Sequence, residues 1–344
     1  MRALVKIAHG AEHMEIMDVP VPEIAPDEVL VKVQCVGVCG TDLKIQDGGF
    51  NTNVPVIVGH EFAGEITAAG KTVKELKPGM RVVAEQHWKA CGVCEYCLTG
   101  RRHLCLKKQS PGYLSDGAYA EYIAVNQSLI HRVPEGMSDE QACLLEPMGI
   151  AAHAIFEKCS VKTADKVVIL GCGPIALIAL QILKAVGAGS VTLTGLNADV
   201  AERFPLALRL GADQVINVER EDVKDAILSQ TGGIGADLVI DLSGASRAIT
   251  GAFDFLKRDG RFCAIGLPHG DVCLPWSTLV MKAAQIAFSF SSSYATWEKC
   301  LWLVSSGKVD LSPFTEAVYE LNDWRRAFDD ARAGRVLKAI IRIN

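Results

Sequence analysis

A cysteine, a histidine and two glutamates occupy positions that suit a reactive metal centre. Cys39 opens a Cys-Gly-Thr-Asp block, His60 and Glu61 follow about twenty residues later, and Glu146 precedes a proline further along the chain. Thiolate, imidazole and carboxylate ligands that leave one coordination position open describe a catalytic zinc site. The residue types therefore indicate metal-assisted chemistry on a substrate that completes the coordination.

Four further cysteines have the spacing of a second, closed metal site. They follow the pattern Cys-x2-Cys-x2-Cys-x7-Cys, at Cys91, Cys94, Cys97 and Cys105. Four thiolates suit a tetrahedral zinc ion and leave no position for a substrate, so this site is predicted to be structural. The spacing also fits an iron–sulfur cluster or a chance grouping. A loop that faces solvent, however, has no packing reason to carry three thiols.

A dinucleotide-binding turn is indicated by glycines that follow a hydrophobic strand. The strand runs into the sequence Gly-Cys-Gly-Pro-Ile-Ala, which matches the pattern Gly-x-Gly-x-x-Ala. Gly171 allows the tight turn, Gly173 allows a pyrophosphate to approach, and Ala176 packs the following helix on the strand. The phosphates then meet the helix N-terminus, at Pro174 and Ile175, where free amides attract anions. A glycine-rich turn without a ligand is the alternative.

The choice between NAD and NADP depends on the end of the second strand of this region. An acidic residue there would bind the ribose hydroxyls and exclude a 2′-phosphate. Here the strand ends in Gly195, and no acid occurs before Asp199. Asn197 and Arg203 are polar candidates for this pocket, although Arg203 equally suits an ordinary solvated helix position. The sequence therefore predicts NAD or NADP and does not support strict NAD specificity.

Two kinds of secondary structure are expected to position these residues. The first 150 residues read as β-rich, with short apolar runs bounded by proline, glycine and aspartate. From about residue 164, apolar strands alternate with amphipathic helices, which predicts a parallel sheet covered on both faces. Ile265 and Gly266, where the last of these strands ends, are predicted coenzyme contacts. The predicted strands are Val29–Val33, Pro55–Val58, Arg81–Ala84, Lys166–Leu170, Val191–Thr194, Gln214–Asn217, Asp237–Asp241, Arg261–Ile265 and Leu337–Ile343.

The remaining periodic segments predict helices. Two helices are expected to end at Val186 and Leu210, and two more are expected over 294–306 and 322–333. The last strand of the chain is predicted to pair back with the N-terminal region. The apolar run that ends at Val186 is interrupted by glycine, proline, Gln181 and Lys184. It therefore predicts a buried strand that feeds a helix, and not a membrane span.

Composition and charge exclude several classes of protein. The chain has 344 residues, of which 49% are hydrophobic and 22% charged, and its formal net charge is −5. This length predicts two domains, and the absence of a basic block argues against nucleic acid as a main partner. Twelve cysteines without a secretory signal suggest a reducing cytoplasm with free or metal-bound thiols. No membrane association is expected.

In combination, these motifs resemble the zinc-dependent medium-chain dehydrogenase/reductase family of alcohol and polyol dehydrogenases, and within it the sorbitol and threonine dehydrogenase branch. The resemblance covers the whole chain, and the motifs fall in the family's order. It rests on Cys-Gly-Thr-Asp at 39–42, Gly-His-Glu-Phe-Ala-Gly at 59–64, the cysteine quartet, Asp-Gly-Ala-Tyr-Ala-Glu-Tyr at 116–122, Glu-Pro at 146–147 and the glycine turn.

The resemblance implies a ligand set for the catalytic metal. Cys39, His60 and a glutamate are expected to hold zinc, with Glu61 and Glu146 both within reach and water or substrate completing the site. A metal at this position acts as a Lewis acid on the substrate oxygen, so that hydride passes between the substrate carbon and the nicotinamide ring. A second zinc is expected at the cysteine quartet, giving two per chain.

The resemblance also implies a route for the proton. Thr41 stands where the family places a hydroxyl that bonds the substrate oxygen and passes its proton outward. Many relatives have a histidine five residues after the ligand cysteine as a further relay, whereas this chain has Lys44. A lysine titrates much higher than a histidine unless it is desolvated, so the outer relay differs from the common pattern.

The fold and assembly that follow from the resemblance are specific. We expect an α/β protein with a β-rich GroES-like catalytic domain and a Rossmann domain built on a doubly wound parallel sheet. The catalytic domain is predicted over 1–152 and completed by 290–344, and the dinucleotide-binding domain over 153–289. A homodimer or homotetramer is expected. The quartet is predicted to fix the 85–110 lobe.

The substrate class is predicted from the same resemblance. Sorbitol dehydrogenases often carry an Arg-Tyr pair after a Ser-Phe, but the matching stretch here is Ser-Phe-Ser-Ser-Ser-Tyr at 289–294. The missing arginine argues against a sorbitol-type contact, while several hydroxyls remain for a polyhydroxylated substrate unless they are simply loop residues. We therefore predict a secondary alcohol or ketone, of the polyol, cyclitol or sugar class.

Three rival functions are weighed against this prediction. The first is oxidation of an amino alcohol of the threonine type. The second is a zinc-independent quinone or enone reductase on the same fold, and retention of the metal-ligand residues argues against it. The third is a binding or structural protein without activity, which would have no reason to keep an open-site ligand set.

Overall fold

The structure, a computed structural model, describes residues 1–343 and divides into two compact units. The first unit comprises Met1–Pro147, Ser292–Ser305 and the chain from Leu311 onward. The second unit comprises Met148–Ser291 and Ser306–Asp310. Each unit has its own sheets and its own hydrophobic core.

Within the described part of the chain, the strands are short and mostly hydrophobic. They are β1 Arg2–Lys6, β2 Met14–Asp18, β3 Glu28–Gly37, β4 Val56–Ile57, β5 Glu61–Ala69, β6 Arg81–Ala84, β7 Tyr122–Asn126, β8 Ile130–Arg132, β9 Lys166–Leu170, β10 Ser190–Gly195, β11 Gln214–Asn217, β12 Ala236–Asp241, β13 Leu256–Ala264, β14 Gln285–Phe288, β15 Ala317–Glu320 and β16 Ala339–Arg342.

The helices range from a single turn to three turns. They are α1 Gly40–Gln46, α2 Glu95–Leu98, α3 Asp139–Ala142, α4 Leu145–His153, α5 Pro174–Ala185, α6 Arg203–Arg209, α7 Val223–Gln230, α8 Ser246–Phe255, α9 Trp276–Lys282, α10 Tyr294–Ser305 and α11 Trp324–Arg332. None of the helices in residues 1–343 has both the length and the hydrophobicity that crossing a bilayer requires.

The first unit is built on a mostly antiparallel sheet with the order β15-β16-β3-β5-β6-β8, to which β7 adds by pairing with β3. A smaller sheet has the order β2-β1-β4. Strand β3 alternates strictly over part of its length, so that Val29, Val31 and Val33 are fully buried while Lys32 is exposed. This alternation is typical of an antiparallel strand with one face on the core.

The second unit contains a six-stranded parallel sheet with the order β11-β10-β9-β12-β13-β14. Its central strand β9 is buried on both faces from Val167 to Leu170, as expected for a parallel strand covered by helices. Successive strands are added outward from β9 on one side and from β12 on the other, so the strand order reverses between these two strands. Open α/β sheets form their ligand crevice at such a point. The predicted α/β class and parallel sheet are confirmed.

The predicted elements agree with the structure to within a few residues in most places. The final strand, β16, pairs with the N-terminal region as predicted, and the structure shows that its partner is β3 and that the pairing is antiparallel. Strand β13 begins earlier than expected, because an irregular register lets Leu256 pair with Ala236 before the regular pairing resumes. Several elements were not predicted individually from the sequence, among them helix α9 and edge strand β14. Strand β14 exposes Gln285 and Phe288, so it lacks the burial pattern that marks the other strands.

Candidate metal centre and coenzyme site

Cys39, His60 and Glu61 come together in the first unit as a group of potential metal ligands. One ligand atom from each of the three side chains lies within 4.8 Å of the other two. Cys39 is the residue before α1, and the adjacent His60 and Glu61 lie where β5 begins. His60 and Glu61 are 4% and 1% exposed. The sequence prediction brought these three residues together, and the structure does so too.

A glycine and a tyrosine shape the approach to His60. Gly59 has a φ of +90°, which favours glycine, and a Cβ there would lie 2.6 Å from the Tyr119 ring. The buried Tyr119 hydroxyl donates to the Gly37 carbonyl at 3.1 Å and to Asp42 Oδ2 at 3.2 Å. The turn before His60 is therefore packed against a tyrosine that is itself anchored to Asp42.

Asp42 supports two of the ligands and was not predicted as a site residue. Its Oδ2 accepts the backbone N–H of Cys39 at 2.9 Å, and its Oδ1 lies 3.7 Å from His60 Nδ1. Asp42 is fully buried, and burial raises its pKa, although the nearby His60 opposes that shift. Since Nδ1 faces this carboxylate, Nε2 is the ring nitrogen left for a metal.

Lys338 forms an ion pair with Glu61 Oε2. It comes from just before β16, is 8% exposed, and no local sequence signal linked it to the site. Burial lowers its pKa, but the charges of Glu61 and Cys39 outweigh that effect and raise it overall. The ammonium therefore stays charged beside the ligand group.

Glu146 lies near this group without being part of it. It is 6% exposed in the first turn of α4. Burial, and next the negative charge of Glu61, raise the pKa of Glu146 to about 8, with His60 opposing. Its oxygens do not join the set of ligand atoms that lie within 4.8 Å of one another among the described residues. In this arrangement Glu61 is the carboxylate closer to the other ligands.

The donor set fits zinc. A thiol, an imidazole nitrogen and a carboxylate converge, and burial together with the charges of Glu61 and Asp42 raises the pKa of Cys39. A divalent cation would offset this burial and repulsion, and the Cys39 thiol would lose its proton on binding the cation. Three protein ligands leave one position for a substrate oxygen.

Two predicted residues lie on the helix that follows Cys39, and one unpredicted residue lies beside His60. Thr41 and Lys44 are on α1, in its first and last turns, and both are half-buried. Tyr113 was not predicted, yet its ring centroid lies 6.4 Å from that of His60 in an edge-on arrangement. Burial raises the Tyr113 pKa, and a hydrogen bond with Ser110 partly offsets this effect. Tyr113 is an otherwise ordinary loop tyrosine, and only its proximity to His60 identifies it as a candidate site residue.

The cysteine quartet forms a second group. The Sγ atoms of Cys91, Cys94, Cys97 and Cys105 all lie within 4.8 Å of one another. The Cys91 N–H donates to Cys105 Sγ at 3.4 Å, and this bond is the main cause that lowers the Cys105 pKa. A backbone donor that stabilises a thiolate suits metal coordination. The four sulfurs fit a closed tetrahedral zinc site.

The glycine turn of the second unit connects β9 to α5. Gly171 has a φ of +110°, and its N–H donates to Thr194 Oγ1 at 3.1 Å. Gly173 is the residue before α5 and Pro174 is the first helical residue; no side chain caps this helix end. A Cβ on Gly173 would meet open space, which leaves room for a ligand beside the free amides. Ile175 follows in the first turn.

Ala176 and the loops of β13 complete the predicted coenzyme residues. Ala176 is 1% exposed, which agrees with helix packing on the sheet. The N–H groups of Ile265 and Gly266 both donate to the Asp241 carbonyl at 3.1 Å, at the carboxyl end of β12. A Cβ on Gly266 would lie 2.6 Å from Asp241 Oδ2, so this position requires glycine. All these residues therefore lie at one edge of the parallel sheet.

Acidic side chains lie closer to the end of β10 than the sequence indicated. A Cβ on Gly195 would lie 2.7 Å from Asp199 Oδ2, so the Asp199 carboxylate fills the place of a side chain there. Asp199 Oδ1 pairs with Arg203 at 2.9 Å. Glu219, which follows the neighbouring strand β11, accepts the Asn197 N–H at 2.5 Å. Asp199 and Glu219 were not predicted as part of this pocket.

Serines near the start of the C-terminal segment bond within the first unit. Ser292 Oγ accepts the Trp297 indole N–H at 2.9 Å, and its carbonyl lies 2.8 Å from His87 Nε2. The Ser293 hydroxyl lies 3.1 Å from that of Thr296. These two hydroxyls have structural partners, which agrees with the alternative that they are loop residues.

Comparison with known proteins gives the family. Residues 25–135 match the alcohol dehydrogenase GroES-like domain, and residues 174–306 match the zinc-binding dehydrogenase domain. The chain is similar to a sorbitol dehydrogenase of Halalkalibacterium halodurans, with 34% identity over 99% of both proteins. It is also similar to an L-threonine 3-dehydrogenase of Shewanella woodyi, with 33% identity over 99% of both.

Solved structures agree with this result. A zinc-binding dehydrogenase from Sinorhizobium meliloti bound to NADP superimposes with a TM-score of 0.91, at 26% identity over 99% of this chain and 98% of that one. The GroES-like domain and the parallel-sheet domain predicted from the sequence are therefore confirmed. With its two ligand groups and its glycine turn in place, the chain belongs to the zinc-dependent medium-chain dehydrogenase family.

Proposed function

We propose that this chain is a zinc-dependent, NAD(P)-linked oxidoreductase that transfers hydride between the nicotinamide and a secondary alcohol or ketone. The observation that carries the proposal is the convergence of Cys39, His60 and Glu61 within 4.8 Å. A quinone or enone reductase that works without zinc would not need this buried donor set. Membership of the dehydrogenase family supports the same reaction class.

The chain's own residues have separate tasks in this reaction. Zinc held by Cys39, His60 and Glu61 would supply Lewis acidity toward the substrate oxygen. Asp42, whose Oδ1 lies 3.7 Å from His60 Nδ1, would orient the His60 ring. Thr41, on the turn next to Cys39, would accept the proton that the substrate hydroxyl gives up. The Thr41 hydroxyl would pass its own proton outward to solvent. Lys44 lies one helical turn further on, and its ammonium has no lone pair to accept that proton.

Two zinc ions per chain are part of the proposal. The catalytic ion would be held by Cys39, His60 and Glu61, with Glu146 as the second candidate carboxylate beside this group. The structural ion would be held by the cysteine quartet, whose Sγ atoms lie within 4.8 Å of one another. An open set and a closed set in one chain match the two uses of zinc in proteins.

The second unit would bind the coenzyme. Residues 153–289 supply the parallel sheet, and 1–152 with 290–344 would supply the catalytic domain. The pyrophosphate is expected over Gly173, Pro174 and Ile175, where the helix amides are uncapped. Gly195, Asn197 and Arg203 are expected at the adenosine ribose, and Ile265 with Gly266 along the opposite rim. We propose that NAD and NADP are both accepted.

A polyol, cyclitol or sugar derivative is the proposed substrate class. The sorbitol dehydrogenase relative supports this class. An L-threonine-type amino alcohol is the alternative, supported at similar identity by the threonine dehydrogenase relative. A panel of polyols, cyclitols and amino alcohols with either coenzyme separates the two, since turnover of threonine alone would favour the alternative.

A homodimer or homotetramer is the proposed assembly, with a second copy covering the outer edge of the parallel sheet. Edge strand β14 and helix α9 expose large apolar side chains, among them Trp276 at 72% and Phe288 at 74%. Such a patch on a sheet edge is costly to leave in water. Light scattering of the purified protein tests the assembly. The twelve reduced cysteines support a cytoplasmic location.

Metal analysis with one variant tests the function. Wild-type protein is expected to hold about two zinc per chain. The Cys39→Ser variant should hold about one, keep its circular dichroism spectrum and lose turnover. Exposed Cys273→Ser is the matched control and should change nothing. Activity that survives Cys39→Ser, or unchanged zinc content in that variant, would disprove the proposed mechanism.

A further inference from the structure

The Lys338–Glu61 ion pair is created by three neighbouring strands. Glu61 is paired in register with Gly37 on one side of β3, and Ile340 of β16 is paired with Gly37 on the other side. Lys338 lies two residues before Ile340, so its side chain lies on the same side of the chain as that of Ile340, beside Gly37. Residues from near the start and near the end of the sequence therefore meet at this group of potential ligands.

Gly37 leaves the space in which the pair forms. A Cβ at this position would collide with Glu61 Oε2 and would lie 3.1 Å from Lys338 Cε. The backbone of Gly37 belongs to an ordinary strand. Glycine is therefore needed at this position for the space that it leaves and not for an unusual backbone conformation. The ion pair is thus enclosed by β3, with both partners under 9% exposed.

The charges around the pair are unequal. Cys39, Asp42, Glu61 and Glu146 are acidic groups at or beside the ligand set. Lys338 is a buried cation that contacts a ligand in the same place. A carboxylate bound to an ammonium gives less of its charge to a metal, because the two cations share one acceptor.

We propose that Lys338 is a positioning residue that competes with the catalytic metal for the carboxylate of Glu61, keeping Glu61 a weak and exchangeable ligand. The inference rests on the zinc centre of the proposed function. It goes beyond that function because it assigns to Lys338 the control of metal affinity and of the fourth coordination position.

The competition predicts an unusual combination of effects. Without the ammonium, Glu61 in metal-free protein is a buried charge that has lost its partner, which is costly. A bound metal would compensate Glu61, so the metal-bound form suffers less and zinc binds more tightly. Glu61 would then be held more firmly at the metal, substrate would enter less readily, and kcat would fall. If Lys338 had only a structural role, its replacement would instead lower zinc affinity and activity together.

Zinc release from Lys338→Met tests the proposal without relying on turnover. Protein loaded with zinc is mixed with excess of a chromogenic chelator, and the release of each of the two ions is followed. We expect the catalytic zinc to leave about tenfold more slowly than from wild type, and the quartet zinc to leave at an unchanged rate. Lys338→Arg keeps the charge and should release zinc at the wild-type rate.

A matched control and a second variant keep the test decisive. Lys6→Met removes another buried lysine of the first unit, one that bonds the carbonyls of Gly10 and Glu12, and should not change zinc release. Gly37→Ala disturbs the Lys338–Glu61 contact from the other side and should also slow release, even if Lys338→Met fails to fold. Cobalt substituted at the catalytic site should show an altered visible spectrum in either variant.

The outcomes separate this inference from the proposed function. Release from Lys338→Met and Gly37→Ala at or above the wild-type rate would overturn the role of Lys338 and leave the zinc enzyme intact. Wild-type protein that holds no zinc dependent on Cys39 would instead overturn the metal centre itself. Slower release together with reduced kcat supports the competition.

Discussion

His60 Nδ1 lies 3.7 Å from Asp42 Oδ1, and both side chains are buried. The same carboxylate accepts the backbone N–H of Cys39 and the hydroxyl of Tyr119. One aspartate therefore contacts two of the potential ligands, Cys39 through a hydrogen bond and His60 through a charge contact at 3.7 Å. A carboxylate beside a ligand histidine favours one orientation of its ring.

Asp42→Asn should weaken zinc binding at the catalytic site. The amide keeps the shape of the side chain but removes the negative charge that faces His60, so affinity is expected to fall about 10- to 100-fold. Chelator competition at equilibrium measures this change. Zinc at the cysteine quartet is the internal control and should be retained. Equal affinity in the variant and wild type would show that Asp42 has only a packing role.

Cys97→Ser should release the quartet zinc and destabilise the 85–110 lobe. Removing one ligand of a closed site removes the metal that links the loop, and the free energy of unfolding should fall by roughly 3 kcal/mol or more. Zinc content and urea unfolding measure the effect. Cys273→Ser, at an exposed cysteine, should leave both values at the wild-type level. Full zinc content in Cys97→Ser would contradict the four-thiolate site.

Arg203→Ala should weaken NADPH binding more than NADH binding. Arg203 neutralises Asp199, whose carboxylate lies beside the end of β10. Without that partner the free negative charge would repel a 2′-phosphate, and we expect about a fivefold to tenfold larger Kd increase for NADPH. Fluorescence titration with the two coenzymes measures it.

Arg209→Ala, at the exposed far end of α6, is the control for Arg203→Ala. It removes the same charge from the same helix and should leave the ratio of the two Kd values unchanged. An equal change in both Kd values for Arg203→Ala would place Arg203 among the ordinary solvated helix residues. A wild-type protein that binds NADH alone would refute the expected acceptance of both coenzymes.

His87 should make stability depend on pH in the acidic range. Burial, and next the charge of Lys108, lower the His87 pKa to about 3, while its bond to the Ser292 carbonyl opposes the shift. The unfolded chain therefore takes up the proton first, below about pH 6.5, and stability falls as pH drops from there toward 3. For this residue alone, the loss between pH 7 and pH 5 is about 2 kcal/mol.

Urea unfolding of His87→Gln at pH 7 and pH 5 checks this expectation. The variant should lose less stability than wild type between the two values, because it no longer contains the group whose pKa differs between the folded and unfolded states. His13→Gln, at an exposed histidine, should keep the wild-type difference. An identical pH dependence in His87→Gln and wild type would rule out His87 as a source of it.

Features that depend on residues close together in the chain could be predicted from the sequence. Thiols at fixed short spacing predict a group at Cys91, Cys94, Cys97 and Cys105, because neighbours in a loop of a few residues must also be neighbours in space. Strand β9 and the glycine turn after it were predicted for a similar reason, since hydrophobic runs and turn residues act over a few positions. The pairing of Cys39 with His60 and Glu61 came from the family resemblance.

Long-range placement was decided only by the tertiary structure. Lys338 reaches Glu61 because β16 and β5 lie on either side of β3, and no periodicity in the sequence specifies which strands become neighbours. Asp199 and Glu219 meet the end of β10 through a loop and an adjacent strand. The sequence by itself therefore predicted the potential metal ligands and the coenzyme turn. Strand pairing between distant segments determined which charges surround them, because contacts of that kind depend on the whole sheet.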